Sequence, residues 1–223
     1  MKKHIMVIDP GAKHPEHDTF NQLVLRNRSA ACFTYHLPSM FGFESIYEVA
    51  ESADAVIVLG SGASVYDGQA WQEELVKFLR KVAVEQQLPT LGVCYGHQLI
   101  AHMFGAKIEF AETDRRKFTG FRKMFGKSPG QSDDTAFEIV VSHREVVSDV
   151  PSGFHVTLRS EAFAIEGLKD TKRPIYTVSG HPEATKEFLR LQGIEFQVGD
   201  DIRLAEAHLY IDDFVKTVAE SST

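Results

Sequence analysis

Residues 90–104 have the sequence TLGVCYGHQLIAHMF, and this stretch decides which class of fold the chain can adopt. Residues 90–94 form a short apolar run typical of a buried strand, and residues 95–104 follow with apolar positions at helical spacing. Gly92 and Gly96 flank the junction and allow a sharp bend with close packing. A strand that passes directly into a helix is typical of open α/β folds, which keep their sites at the carboxyl edge of the sheet.

Strand-like and helix-like segments alternate around this stretch. Residues 4–8, 31–36 and 55–59 are apolar runs of strand length, and residues 69–86 carry Leu75, Phe78, Leu79 and Val82 on one helical face. Beyond about residue 107, short runs at 136–141, 154–159, 163–165 and 175–178 predict hairpins, and residues 184–192 and 202–218 predict helices. We therefore expect one α/β domain over residues 1–223, with a central mostly parallel sheet, flanking helices and antiparallel hairpin extensions.

The composition excludes several classes of protein. A hydrophobic fraction of 43% and a charged fraction of 25% are ordinary for a globular chain and exclude a disordered or fibrous one. The net charge of -7 gives no general reason to expect binding to nucleic acid or to an anionic membrane. The N-terminal apolar run is too short for a signal peptide, and no stretch approaches the roughly 18 residues of a membrane span. We expect a cytoplasmic protein.

The chain has two cysteines, which cannot build a disulfide framework. Cys32 lies in the 31–36 run and is predicted to be a core strand residue. Cys94 lies where the helix that follows directs its free N–H groups and positive dipole end at the sulfur, which favours the thiolate. On the residues alone, Cys94 is either a nucleophile or a small buried side chain.

A nucleophilic cysteine needs a base, and His181 is the best placed of the ten histidines. In the sequence IYTVSGHPEA, residues 175–184, a strand-like run ends at Gly180, and Pro182 favours an extended conformation at His181. Glu183 offers a carboxylate to orient the imidazole. A helix start after proline explains the same residues equally well, and His97 and His102 are predicted to pack or cap.

Together these segments resemble the class I glutamine amidotransferases. Residues 92–98, GVCYGHQ, match the family's nucleophile motif G-x-C-x-G-x-Q, and His181-Pro182-Glu183 matches its later His-Pro-Glu. The sequence VIVLGSGASVYD occupies the place of the family's glycine-rich loop, and VVSHREVVSDV resembles its S-H-x-[DE]-x-V segment. Within the family the likeness is to the amidotransferase domain of GMP synthetases, and it implies a flavodoxin-like fold.

The resemblance implies a role for each matching residue. Cys94, His181 and Glu183 correspond to the catalytic triad, and the backbone N–H groups of Gly62 and Tyr95 to the oxyanion hole. Gln98, Ser142, His143 and Arg144 match positions that hold the glutamine moiety. The resemblance implies no cofactor and no metal.

Several stretches depart from the family or offer weaker signals. The glycine loop has Gly60-Ser61-Gly62-Ala63 in place of S-G-G-P, and Gly180 replaces an aromatic residue beside the base, which predicts a wider pocket. Residues 120–128 imitate a phosphate-binding loop with the wrong glycine spacing. Residues 14–17 are predicted to be a polar loop near the active face, residues 115–117 a solvated loop, and residues 126–135 a mobile loop.

Four functions remain open on the sequence. The first is a stand-alone cysteine amidohydrolase that acts on the γ-amide of glutamine or a related γ-glutamyl compound through a thioester. The second is a γ-glutamyl peptidase, and the third is the glutaminase subunit of a two-component synthase whose other subunit takes up the ammonia. The fourth is a non-catalytic binding module of the same fold. The expected partners are a glutamine-like small molecule and, for the third function, a synthase subunit.

Overall fold

A nine-stranded sheet forms the centre of the computed structural model, which describes residues 2–11 and 13–221. The order of its strands is β2-β1-β3-β4-β11-β10-β9-β6-β7, and β5 and β8 form a separate antiparallel pair. The strands are β1 (Lys3–Ile8), β2 (Ala31–His36), β3 (Ala55–Val58), β4 (Thr90–Val93), β5 (Ile108–Phe110), β6 (Phe118–Gly126), β7 (Thr135–His143), β8 (Glu145–Val147), β9 (Phe154–Ser160), β10 (Gly167–Asp170) and β11 (Ile175–Val178).

The sheet has a parallel half and an antiparallel half. The first five strands in spatial order, β2 to β11, pair in parallel, and the remaining four pair antiparallel. The central parallel strands are buried on both faces, which explains why they are near-continuous apolar runs in the sequence. The predicted α/β fold, with a mostly parallel centre and hairpin extensions, is confirmed.

Helices cover both faces of the parallel half. They are α1 (His17–Asn27), α2 (Pro38–Phe41), α3 (Glu44–Ala50), α4 (Ala70–Leu79), α5 (Tyr95–Met103), α6 (Lys186–Leu191) and α7 (Asp200–Glu220), and a π-helical turn, Arg80–Glu85, continues α4. One core packs Phe78 of α4 and Leu99 of α5 against Met6 of β1, and the other packs Phe214 of α7 against Ile5. Alternate residues of β1 therefore enter opposite cores. No helix in the described part of the chain has the length and apolar character needed to cross a membrane.

Two local predictions are wrong, the strand at residues 163–165 and the core position of Cys32. Residues 163–165 are not a strand, because the Ser160 side chain accepts hydrogen bonds from the backbone N–H groups of Ala162 and Phe163 and closes a turn there. The real strand, β10, begins at Gly167. Cys32 lies on β2, an edge strand, and its side chain is exposed, so it is not a core residue. The stretch resembling a phosphate-binding loop mostly belongs to β6.

The junction between β4 and α5 is packed without space for side chains at two positions. A Cβ added at Gly96 would lie 2.4 Å from the Val58 carbonyl oxygen, and one added at Gly92 would lie 2.6 Å from the Gly96 carbonyl oxygen. Contacts this close to backbone atoms cannot be relieved by a side-chain rotation. The two glycines therefore allow α5 to begin directly against β3 and β4.

We expect Gly96→Ala to destabilise the protein despite the better helix propensity of alanine. Alanine gains up to about 1 kcal/mol in a helix interior, whereas forcing a methyl group into a filled core typically costs about 1–3 kcal/mol. The obstructing Val58 carbonyl oxygen belongs to the central strand β3, so we expect the cost of the clash to exceed the gain in helix propensity. Urea unfolding measures the difference, and Gly62→Ala, which adds a Cβ with no atom within 4 Å, is the matched control. Equal midpoints for the two variants would contradict this packing.

Candidate active site

Cys94 lies at the junction between β4 and α5 in a strained backbone conformation. Its φ is 49° and its ψ is -99°, and the residue is only 4% exposed. A non-glycine residue with positive φ costs free energy and persists only where its surroundings enforce it. The backbone N–H of Cys94 donates to the Val178 carbonyl oxygen at 2.9 Å, which ties the junction to β11. The strain thus presents the thiol at the carboxyl edge of the parallel strands.

The His181 imidazole lies beside this thiol. A Cβ added at Gly60 would lie 2.8 Å from His181 Cε1 and 3.6 Å from Cys94 Cβ. Both side chains are therefore neighbours of Gly60 and lie close to each other. Gly60 is therefore required for the imidazole to fit, a role that the sequence did not reveal. The backbone N–H of His181 donates to the Val140 carbonyl oxygen at 2.7 Å, and its Nδ1 lies 2.8 Å from Glu183 Oε1. The structure thus brings Cys94, His181 and Glu183 together.

Neighbouring charge controls the protonation of His181. Complete burial by itself would lower the pKa of this imidazole, but the Cys94 and Glu183 side chains raise it well above 6.5. The His181 and Glu183 side chains are both buried, so their charges are weakly screened. The arrangement therefore favours the protonated imidazolium form of His181.

The two backbone groups expected to form an oxyanion hole have free donors. Among residues 2–11 and 13–221, neither the Gly62 nor the Tyr95 N–H has a hydrogen-bond acceptor. Tyr95 is the first residue of α5, so its N–H has no partner within the helix. The loop at Gly62 is held in place because the Ser61 hydroxyl donates to the Pro10 carbonyl oxygen at 3.0 Å. The space beside Gly62 is open, because a Cβ added there would have no atom within 4 Å.

The expected glutamine-binding residues occupy three different environments. Gln98 is buried, and its side-chain amide donates to the Glu145 carbonyl oxygen at 2.8 Å. The Ser142 hydroxyl donates to Gln192 Oε1 at 2.6 Å. Arg144 is exposed. The end of β7, with Ser142 and His143, forms one wall of the candidate site. Gln98, in α5 next to the cysteine, anchors this wall through its hydrogen bond to Glu145.

His143 is buried in this wall and is held as a neutral imidazole. Its Nδ1 donates to the Glu145 carbonyl oxygen at 3.1 Å, so its Nε2, 3.2 Å from Arg122 Nη1, is the acceptor. Burial and the Arg122 guanidinium lower the pKa of His143 to about 3. With both nitrogens engaged, His143 is unsuited to act as the general base.

An acidic network that the sequence did not reveal lies next to Glu183. Asp9 accepts hydrogen bonds from the backbone N–H groups of Gly11 at 2.7 Å and Glu16 at 2.8 Å, and from the Tyr35 hydroxyl. Burial, followed by the negative charges of Glu183 and Asp9, raises the pKa of Glu16 to about 7. The 14–17 segment thus lies near the candidate site, in agreement with the predicted polar loop near the active face, and Glu16 is half-buried there.

The expected wider pocket beside the base is wrong. A Cβ at Gly180 would lie 2.9 to 3.0 Å from three atoms of the Ile139 side chain. Isoleucine therefore fills the space that an absent aromatic residue was expected to leave open.

The basic run at residues 115–117 is exposed, as the sequence predicts, but Lys117 is not simply solvated. Its Nζ donates to Gln192 Oε1 at 2.7 Å. Partial burial of the ammonium lowers the pKa of Lys117. The run therefore places one of its charges against α6 instead of directing all three into water.

Comparison with known proteins adds a family to this geometry. Residues 16–194 match the family model described as "Glutamine amidotransferase class-I". A GMP synthase [glutamine-hydrolyzing] from Oleidesulfovibrio alaskensis is 31% identical over 183 residues, which cover 80% of this chain and 33% of that protein. A separate GMP synthase [glutamine-hydrolyzing] subunit from Methanocaldococcus jannaschii is 31% identical over 130 residues, covering 52% of this chain and 66% of that one. The chain spans about a third of the length of the first of these curated relatives.

Solved structures with low sequence identity share the fold. A glutamine amidotransferase from Thermotoga maritima superposes with a TM-score of 0.73 at 16% identity, covering 99% of this chain and 100% of that one. A glutamine amidotransferase from Methylobacillus flagellatus gives a TM-score of 0.70 at 17% identity, covering 97% of this chain and 94% of that one. At these identities the likeness establishes the architecture alone.

We expect Glu183→Gln to lower the pKa of His181, because the substitution removes one of the two negative charges that raise it. An NMR titration of the His181 Cε1–H resonance measures this change directly. Glu187→Gln is the matched control, since Glu187 is an exposed residue of α6 that pairs with Arg190. An unchanged His181 pKa in Glu183→Gln would show that this carboxylate does not hold the proton on the imidazole.

We expect Glu16→Gln to become more favourable for stability, relative to the parent chain, as pH rises from about 4.5 to about 7. The pKa of Glu16 rises from 4.5 to about 7 on folding, so the folded chain binds this proton more tightly. Raising the pH through that window therefore destabilises the parent but not the glutamine variant. Thermal unfolding at a series of pH values tests this, and a difference in Tm that is independent of pH would contradict it.

Proposed function

This chain belongs to the class-I glutamine amidotransferase family, and we propose that Cys94, His181 and Glu183 form its catalytic triad. In this proposal the triad hydrolyses the γ-amide of glutamine or of a related γ-glutamyl compound. The proposal rests on one observation: Cys94, buried and with a strained backbone, and the His181 imidazole both lie next to Gly60. A cysteine nucleophile, a base beside it and a carboxylate that orients the base are the three parts that amide hydrolysis by a thiol requires.

The first half of the reaction forms a thioester. The Cys94 thiolate attacks the γ-carbonyl carbon, and the carbonyl oxygen becomes an oxyanion that accepts hydrogen bonds from the Gly62 and Tyr95 N–H groups. Loss of one such donor typically lowers the rate by about a hundredfold or more. When the tetrahedral intermediate collapses, the carbon–nitrogen bond breaks, and the His181 imidazolium donates its proton to the departing nitrogen. Ammonia leaves, and Cys94 carries the γ-glutamyl group.

The second half regenerates the enzyme. The neutral His181 imidazole accepts a proton from water as the water oxygen attacks the thioester carbon. The carbon–sulfur bond then breaks, glutamate is released, and Cys94 and His181 return to the thiolate–imidazolium pair. Glu183 Oε1 lies 2.8 Å from Nδ1 of His181, and in this proposal that hydrogen bond leaves Nε2 as the nitrogen that gives and takes the proton.

Two settings are compatible with this chemistry. The chain either releases ammonia on its own or serves a two-component synthase by supplying it with ammonia from glutamine. The Methanocaldococcus jannaschii relative is named for one subunit of GMP synthase, and it matches this chain over 66% of its own length, which supports the second setting. The filled space beside Gly180 removes the structural reason for favouring a γ-glutamyl peptidase, which remains an outcome of the assay.

Replacing the nucleophile should abolish turnover. We expect Cys94→Ala to lower glutamate release from glutamine by at least about a thousandfold, because no other group supplies the thioester. Cys32→Ser is the matched control, because Cys32 is exposed on the edge strand, and it should keep the parent rate. Enzymatic detection of glutamate measures both, with glutamine and γ-glutamyl dipeptides as parallel substrates.

A second measurement separates a dormant enzyme from a binding module. The parent chain is incubated with 6-diazo-5-oxonorleucine, an electrophilic glutamine analogue, and the adduct is located by peptide mass spectrometry. Labelling of Cys94 without turnover supports a glutaminase that needs its synthase partner. Absence of both labelling and turnover would overturn the proposal and support a non-catalytic module.

A further inference from the structure

Lys117 is held at the candidate active site by a neutral side chain. It immediately precedes β6, whose first residue, Phe118, pairs with His143 of β7. Its Nζ donates to Gln192 Oε1 at 2.7 Å, and the same oxygen accepts the Ser142 hydroxyl at 2.6 Å. Gln192 follows α6 and so fixes the lysine ammonium against the wall that Ser142 and His143 form.

The ammonium lies within electrostatic reach of the nucleophile. Partial burial lowers the pKa of Lys117, the negative charge of Cys94 acts in the opposite direction, and the nearby Arg144 guanidinium lowers the pKa further. Lys117 also contributes to the lowered pKa of His143. Geometry gives the same placement, because Ser142, whose hydroxyl shares Gln192 Oε1 with Lys117, lies two residues along β7 from Val140, whose carbonyl oxygen accepts the His181 N–H at 2.7 Å.

Within residues 2–11 and 13–221, no carboxylate neutralises this charge, because Lys117 forms no ion pair there. Two cations near it in the sequence are paired: Arg116 binds Glu112 at 3.1 Å, and Arg122 binds the buried Glu166 at 3.0 Å. Even partial withdrawal of an ammonium from water is unfavourable without a counter-ion. A ligand that brings a negative charge to this wall would relieve that cost, and the exposed lysine leaves room for it to approach.

We propose that Lys117 binds a carboxylate of the substrate whose amide is attacked by Cys94, and so selects for anionic groups in the pocket. This inference rests on the proposed function, because it needs the substrate to lie between the two residues. Two carboxylates could occupy the position: the α-carboxylate of the γ-glutamyl group, or an acidic group on the amine that leaves. Both would form the same charge-assisted hydrogen bond with Nζ.

Alkylation of the thiol tests the inference without turnover. Iodoacetate and iodoacetamide both form an S–C bond with a thiolate and release iodide, and they differ in carrying a carboxylate or a neutral amide. We expect the rate ratio of iodoacetate to iodoacetamide at Cys94 to fall about tenfold in Lys117→Met. Peptide mass spectrometry gives the rate at each cysteine, and the exposed Cys32 reports the intrinsic ratio of the two reagents in the same sample.

Two control variants complete this experiment. Lys117→Arg keeps the charge and should keep the parent ratio. Lys123→Met removes an exposed lysine of β6 and should also leave the ratio unchanged. An equal ratio in the parent and in Lys117→Met would overturn the inference, and it would do so whether or not the chain hydrolyses glutamine.

Steady-state kinetics identify which carboxylate is bound. Glutamine is compared with 4-aminobutanamide, which lacks the α-carboxylate, and γ-glutamylglycine with γ-glutamylmethylamide, which lacks the carboxylate of the leaving group. In Lys117→Met we expect KM for the carboxylate-bearing member of one pair to rise about tenfold while kcat stays within a few-fold. The pair of substrates that Lys117→Met no longer distinguishes identifies the carboxylate that Lys117 binds. Discrimination retained in both pairs, or an equal loss for all four compounds, would contradict a recognition role.

Discussion

The contact between the first turn of α5 and the ends of β3 and β4 is the constraint on which the rest of the site depends. Because Gly92 and Gly96 carry no side chains, the helix begins within van der Waals distance of the strands. The chain must then turn within one residue, which places Cys94 in its positive-φ conformation. The same turn leaves the Tyr95 N–H without a partner in the described part of the chain. One packing contact thus positions the thiol, strains its backbone and supplies a hydrogen-bond donor beside it.

Strand register brings the base to this thiol. β11 pairs in parallel with β4, with Val178 opposite Val93, so the segments that follow the two strands leave the same edge of the sheet together. His181 reaches Cys94 across this edge, and Gly60, just beyond β3, leaves space for the imidazole. The His181 and Glu183 side chains are buried, so charge interactions there are weakly screened, and the Cys94 and Glu183 side chains outweigh the burial that would otherwise lower the pKa of the imidazole. The acidic network of Asp9 and Glu16 extends this electrostatic environment to the segment after β1.

The two halves of the sheet carry different parts of the site. The parallel half holds the groups proposed to react, since the ends of its strands converge on one edge. The antiparallel half supplies a wall through β6 and β7, in which Arg122 is neutralised by the buried Glu166 and fixes His143 as a neutral acceptor. Lys117, just before β6, has only the amide oxygen of Gln192 as a described partner. The wall therefore presents a positive charge, which the proposed binding of a substrate carboxylate requires.

The sequence by itself determined the α/β class and the position of the thiol, because both follow from local patterns. Apolar runs alternate with helical periodicity, and two glycines bracket Cys94, so strand, bend and helix follow one another within about fifteen residues of chain. It also indicated His181 and Glu183, through the likeness of His-Pro-Glu to a family motif. The exposed Cys32 was missed because strand position at an edge is a property of pairing order, which no run of residues encodes.

Only the tertiary structure decided that Ile139 fills the space beside Gly180, that Glu16 lies near Glu183, and that Lys117 reaches Gln192. These contacts join residues far apart in the chain. Their energies depend on burial and on neighbouring charges that exist only after the sheet has formed, so no local pattern of residues could have predicted them.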